Sequence, residues 1–360
     1  FEVHKIQGVP VAIKNTLVQL RKKGVMRGLG AQREVLRISQ ILHAAGIDSM
    51  FLKGSYLGQF VYPAAGLRAI RDIDVLVAPT QVLRAQKVLL AGGLQPHPKH
   101  PGDADAALEL GKHLPPMLSP SGVFPVELHE RILPRELVPE GGTDISQGLS
   151  FWPNAIAKTV VDQQINFASA TELLFHLSVH SVYDHKFNNG PLIFSDIGFL
   201  LQSHPIDWSL FWQLCQTYGV RKGVILLLKV VEGLWRDLPI EWPVILPHEL
   251  PSVDLIQDTE QLSLRGLATR GDVTLFEAVK TEISVRKRTA LLARRIFPNR
   301  AMIARAYPVR AGSIKVFMYY PLWWWRLATE RLPSLMRSGL STRSLDETAR
   351  LHNLRAWLRD

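Results

Sequence analysis

Asp72 and Asp74 are separated by one residue and followed by the apolar run Val75-Leu-Val77. Side chains alternate along a strand, so both carboxylates fall on one face. Paired carboxylates supply the hard oxygen ligands that Mg²⁺ takes. A further acid, Glu127, stands in the short alternating segment Val126-Glu-Leu-His129. Glu127 and His129 share a strand face, and either could accept a proton from an attacking group. Upstream, Gly54-Ser55 ends the apolar stretch 50–52, where a tight turn could bring backbone amides against phosphate. Lys53 and Arg68 would add positive charge. A D-x-D pair alone is common at solvated strand ends. The glycine-serine turn before it and the strand acid after it set this one apart.

In that order, the glycine-serine turn, the D-x-D strand and the later strand acid resemble the nucleotidyltransferase superfamily of the DNA polymerase β type. Leu52-Lys-Gly54, Tyr62-Pro63, the R-x-x-x-D-I-D-x-L-V phrase from Arg68 to Val77 and Glu127-Leu-His129 are similar to a narrower bacterial family of uncharacterised nucleotidyltransferases. The long span from Ser55 to Asp72 suits the narrower family. The resemblance implies transfer of a nucleoside monophosphate from an NTP to an acceptor hydroxyl or phosphate. Asp72, Asp74 and Glu127 would hold two Mg²⁺ ions, and Gly54 and Ser55 would cradle the β,γ-phosphates. The chain departs from the family at Arg71, where a small residue is usual, which leaves Arg68 as the expected cation. It departs again at Glu130, where Trp is common.

The same resemblance implies a peptide, protein or small-molecule acceptor, a peptide being favoured by the family's association with peptide maturation. A toxin-like enzyme acting on tRNA is the alternative. A nucleotide-binding protein without catalysis and an RNA-binding module complete the readings, and the intact acids weigh against loss of catalysis.

Further along, Thr171 to His180 places His176 and His180 four residues apart, on one helical face. The spacing could serve zinc, but no glutamate follows the first histidine and no third ligand is evident, so a pair lining a polar groove is the preferred reading. Under the resemblance, His176, His180, Lys186 and Asp196 match a helix motif with a following basic residue and aspartate. Toxin-type nucleotidyltransferases use a lysine and an aspartate in a comparable region. By that analogy His180 or Lys186 neutralises phosphate charge, and Asp196 orients the basic group or binds base or sugar.

These residues need a sheet to hold the acids and helices to close over them. Apolar spacing across 11–46 predicts two helices, interrupted at Gly24, Gly28 and Gly30. Strands are expected at 50–52, 72–77 and 123–131, a helix from about Pro79-Thr80 to Leu90, and a loop with one short strand across 94–122. Helix dominates from Ala170. The fold class is therefore α+β: a small mixed sheet flanked by helices, with a larger helical C-terminal domain. The expected divisions are N-terminal helices at 1–48, a nucleotidyltransferase core at 49–160, a helical domain at 161–310 and basic aromatic helices at 311–360.

At 360 residues and 47% hydrophobic composition the chain can bury a sizeable core, which excludes a disordered protein. Its one cysteine, Cys215, excludes an internal disulfide or a thiolate zinc cage and fits a reducing cytoplasm. No secretory signal is visible, and the start at Phe1 without Met leaves open an upstream true start. No apolar run is long enough to span a bilayer. The net charge of +10 attracts anions such as nucleotides, RNA or acidic membrane. Its C-terminal excess surrounds the aromatic stretch Ile314 to Trp325. Trp beside Lys and Arg is the composition of membrane-surface helices. Sealing a core or docking on a partner is the commoner use, and the family's own basic, aromatic end favours it.

Overall fold

The computed structural model describes residues 10–140, 142, 144, 145, 151–265, 293, 294, 296–331 and 342–359. Its centre is a seven-stranded mixed sheet in the order β3-β4-β5-β2-β1-β7-β6. The strands are β1 (Ser49–Phe51), β2 (Ile73–Val77), β3 (Gln95–Pro96), β4 (Met117–Leu118), β5 (Pro125–His129), β6 (Ile156–Val160) and β7 (Gln163–Phe167). β2 runs parallel to β5 and β1 parallel to β7, and the remaining pairs are antiparallel. Every residue of β2 is buried, as expected of a central strand covered on both faces. Asp74 is its one charge, so the sequence places a carboxylate where only partners can sustain it.

The sheet continues beyond residue 160, because β7 pairs with β1 through Phe51 and Phe167. The α+β class is as the sequence implies.

Helix α1 (Val11–Ala44) is one continuous helix and not the two that its glycines imply. Glycine in a helix interior costs about 1 kcal/mol against alanine, and packing accounts for two of these positions. A Cβ on Gly24 would stand 2.3 Å from the Gly66 carbonyl oxygen, and one on Gly30 would stand 3.2 Å from the Phe124 ring. These glycines allow close approach without breaking the helix.

The stretch 94–122 also differs from expectation. Besides β3 and β4 it holds a short helix over Ala104–Leu110, capped by the Asp103 carboxylate on the Ala106 N–H. The surrounding Pro, Gly and His residues mask that helix in the sequence.

β1 turns at Lys53 (φ 43°) into the helical turn Gly54–Tyr56 and a wider π-helical turn, Leu57–Val61. The helical layer holds α2 (Ala170–Val179), α3 (Leu192–Ser203), α4 (Trp208–Thr217) and α5 (Arg221–Leu234). Ser169 caps α2 by accepting from the Glu172 N–H, and α2 runs on into a π-helical turn, His180–Asp184. One hydrophobic cluster joins α1, the sheet and the helical layer, from Ala31 to Leu354. A separate small cluster forms around Ile303, Tyr307, Val309 and Val316. No helix among the described residues is long and apolar enough to cross a membrane.

Candidate active site

The parallel pairing of β2 and β5 sets Asp74 opposite Glu127 and Leu76 opposite His129. Glu127 and His129 are two apart, so both point to the face that Asp74 occupies. His129 Nε2 lies 3.0 Å from one Asp74 carboxylate oxygen and 3.6 Å from Glu127 Oε2. Lys53 Nζ lies 3.2 Å from the other Asp74 oxygen. His113 Nε2 approaches Glu127 Oε2 at 3.8 Å.

Burial alone would raise the Asp74 pKa, but Lys53 and His129 hold it well below the usual carboxylate range. Burial likewise works against the Glu127 carboxylate, yet the hydrogen bond from His129 and the charge of His113 take its pKa down to about 2. The same contacts with Asp74 and Glu127 outweigh burial at His129 and raise its pKa. Asp72 lies one residue before β2, exposed at the cleft. Desolvation by the surrounding atoms, then the neighbouring Asp74 charge, pushes its pKa up to about 6.

Asp74, Glu127 and His129 each offer one ligand atom, all within 4.8 Å of one another. This set fits a small divalent cation. Its two carboxylates suit Mg²⁺ or Mn²⁺, and the imidazole extends the range towards Zn²⁺. Asp72, expected in the first coordination sphere, stands beside the group, where its charge acts on both Lys53 and Asp74.

The opposite wall comes from the turn His180–Asp184, after α2. His180 Nδ1 lies 2.9 Å from Asp184 Oδ2, and Lys112 also pairs with Asp184 while donating to the Ile132 carbonyl at 2.9 Å. The His185 ring is 4.4 Å from that of His180. Burial, then the Lys53 charge, lowers the His180 pKa to about 3, so this imidazole is neutral at physiological pH. His176 sits one turn earlier, fully buried, with neither ring nitrogen hydrogen-bonded. The two histidines therefore divide: His180 faces the cleft and His176 lies in the core behind it.

The cleft has two lobes, of about 940 and 380 Å³, which share Lys53, Asp72, His180 and His185. Lys186 lines the larger lobe, with its ammonium 3.5 Å from the Tyr183 carbonyl. Asp196 and Arg68 line the smaller one and are already joined. Asp196 accepts from Arg68 Nε at 2.8 Å, from Arg68 Nη2 at 2.9 Å and from the Tyr62 hydroxyl at 2.8 Å. The basic group that Asp196 orients is thus Arg68. Gly54 lies directly against the Arg68 guanidinium, where a Cβ would come within 2.4 Å of Nη1. Ser55 is buried, and its side chain lines a separate, mostly apolar pocket between α1 and the Leu57–Val61 turn.

Lys112, His113, Asp184 and His185 also line the cleft, and the sequence alone does not single them out. The i, i+4 spacing of His180 and Asp184 was a usable signal. Lys112 and His113 carried none, because they follow the masked helix.

A family model described as an uncharacterised nucleotidyltransferase matches residues 2–236. No curated protein and no solved structure matches the chain.

Proposed function

The chain belongs to that uncharacterised nucleotidyltransferase family, and we propose that it moves a nucleoside monophosphate from an NTP to a hydroxyl or phosphate of a peptide, protein or small molecule. The observation that carries this reading is a single carboxylate cluster at the junction of two lobes, which gives two substrates one meeting point.

Asp74 and Glu127, with Asp72 beside them, would hold two Mg²⁺ ions, and His129 could take a ligand position. Bound there, divalent cations supply charge stabilisation for the triphosphate and a lowered pKa for the acceptor hydroxyl. The smaller lobe, with Gly54, Arg68 and Arg71, takes the triphosphate, and the larger takes the acceptor. Arg68, fixed by Asp196, turns its free edge towards phosphate, and Lys53 adds charge from the turn. The acceptor oxygen attacks the α-phosphorus in line, the bond to the β-phosphate oxygen breaks, and pyrophosphate leaves. Glu127 or His129 receives the acceptor proton.

A tRNA acceptor, the toxin-like alternative, draws support from the net charge of +10. The larger lobe mixes Glu109, Glu136 and Asp184 with Lys112, Arg135 and Lys186, a lining suited to a mixed-charge acceptor more than to a polyanion.

NTPs labelled at the α- or γ-phosphate, incubated with the protein, Mg²⁺ and either cell peptides or tRNA, test the reading. Label reaching an acceptor from the α but not the γ position supports it. Transfer from the γ position alone would make the protein a kinase.

A further inference from the structure

Residues 296–329 carry Arg300, Arg305, Arg310, Lys315 and Arg326 and no acid. They include the 3₁₀ segment Ile314–Tyr319, which leads directly into the helix Tyr320–Arg326. One side of this rod is packed. Val316 is fully buried in the small C-terminal cluster, with Tyr319, Tyr320 and Trp323 against it. The other side is apolar and open: Ile314 is 83% exposed, Met318 73%, Leu322 47% and Trp325 62%. Met318, Leu322 and Trp325 recur at α-helical spacing where the segment passes into the α-helix, and Ile314, in the 3₁₀ turn, stands over Phe317.

Beside it runs a row of aromatic rings. Phe317 and Tyr320 are 6.0 Å apart, Tyr320 and Trp324 6.0 Å, and Trp324 and Phe297 5.8 Å. The Arg300 guanidinium covers the Phe317 ring at 4.8 Å. Solvent-facing helix sides are ordinarily charged or polar, and this one is aliphatic and aromatic with a basic surround.

We propose that this face is a docking surface for an anionic phospholipid bilayer. Trp and Phe rings partition into the headgroup region, aliphatic side chains enter the acyl boundary, and Lys and Arg meet the lipid charge. Lys315 and Arg310, both exposed, stand at the N-terminal end of the rod, where they can reach phosphate while the stripe inserts. A second copy of the chain is disfavoured as occupant, because a two-fold contact would bring the same cations face to face. Nucleic acid would use the rings and the charges but leave Ile314, Met318 and Leu322 unsatisfied. The segment lies on the membrane and does not cross it.

The surface also shares an element with the cleft. The helix Arg300–Ala306 packs on the Ala104–Leu110 helix, Arg305 donates to the Leu110 carbonyl at 3.2 Å, and Arg305 lines the larger lobe.

Vesicle flotation of the whole chain tests the proposal, with phosphatidylcholine vesicles compared with vesicles containing a third phosphatidylglycerol. The expected result is at least about tenfold stronger partition onto the anionic vesicles, weakened by high salt. Met318→Ser with Trp325→Ser removes inserted surface, and Arg310→Glu with Lys315→Glu reverses charge. Each pair should cut partition by about tenfold while the melting temperature stays within a few degrees, since all four side chains are exposed. Should one pair fail to fold, the other gives the result. Absence of partition onto anionic vesicles, equal partition by wild type and variants, concentration-dependent dimers formed through this face in place of lipid binding, or single-stranded RNA binding that vesicles do not compete, would overturn it.

Discussion

The Lys53 ammonium lies 3.2 Å from the Asp74 carboxylate, both side chains largely buried, so the chain supplies its own cation where a metal would bind. This pair makes metal affinity and stability opposing properties of one carboxylate. Breaking a buried pair typically costs about 3–5 kcal/mol because the remaining charge is stranded. Lys53→Met should therefore lower the melting temperature markedly without metal and recover much of the loss in Mg²⁺ or Mn²⁺. Wild-type protein should respond less to either ion. Thermal melts across a metal titration check this, and identical metal responses would dissociate Lys53 from the metal position.

Asp72 and Asp74 should separate in their effects. Asp72 is exposed and its charge is disfavoured beside Asp74, so Asp72→Asn should leave stability unchanged or slightly raised. Its loss of charge beside the triphosphate should still reduce transfer by about a thousandfold. Asp74→Asn should lose activity and also stability, because the buried Lys53 ammonium would keep its charge without the carboxylate beside it. Activity assays paired with urea melts read both quantities. Full turnover in Asp72→Asn would remove it from the chemistry.

The Arg68–Asp196 pair spans 128 residues of sequence and fixes the guanidinium against Gly54. Gly54→Ala should push the guanidinium aside and raise the KM for NTP by about tenfold or more, since a misplaced clamp loses positioning. Tyr62→Phe removes one bond to Asp196 and should cost only about 1 kcal/mol of stability, leaving KM nearly unchanged. Initial-rate kinetics over NTP concentration distinguish the two. An unchanged KM in Gly54→Ala would leave Arg68 a structural residue.

His180 and Lys186 differ in the lobes they line, and their variants should differ accordingly. His180 lines both lobes, whereas Lys186 lines only the larger. His180→Ala should weaken NTP binding measured by calorimetry with Mg²⁺, while Lys186→Ala should raise the KM for acceptor and spare NTP affinity. Equal loss of NTP affinity in both variants would reverse the assignment of the lobes.

The buried His176 should leave a mark on acid stability. Burial, then the charges of Lys53 and Lys112, lowers its pKa well below 6.5, so the folded chain keeps this ring neutral. Below pH 6.5 the unfolded chain protonates it and the folded chain does not, so the unfolded state binds the extra proton. Stability from this group is complete above pH 6.5 and falls with decreasing pH, by up to about 1.4 kcal/mol per pH unit. His176→Leu should flatten that slope between pH 6.5 and 5. Denaturant melts over this range measure it, and parallel curves for wild type and variant would show that the acid response arises elsewhere.

The sequence by itself determined the parts of the site that rest on local periodicity. Glu127 and His129 share a face of β5 because their spacing is two, and Asp74 is the one charge of an apolar strand. His180 reaches the cleft from the end of the helix that the sequence places from Ala170 onward. Tertiary structure decided the rest. Whether Gly24 breaks a helix or seats it depends on Gly66, which lies far along the chain. That Asp196 holds Arg68, that Lys112 and His180 meet at Asp184, and that His129 joins Asp74 and Glu127 in the close ligand group all follow from strand register and helix packing. Periodicity assigns a side chain to a face. Its partner on that face is set by elements distant in sequence, brought together by burial of a common core.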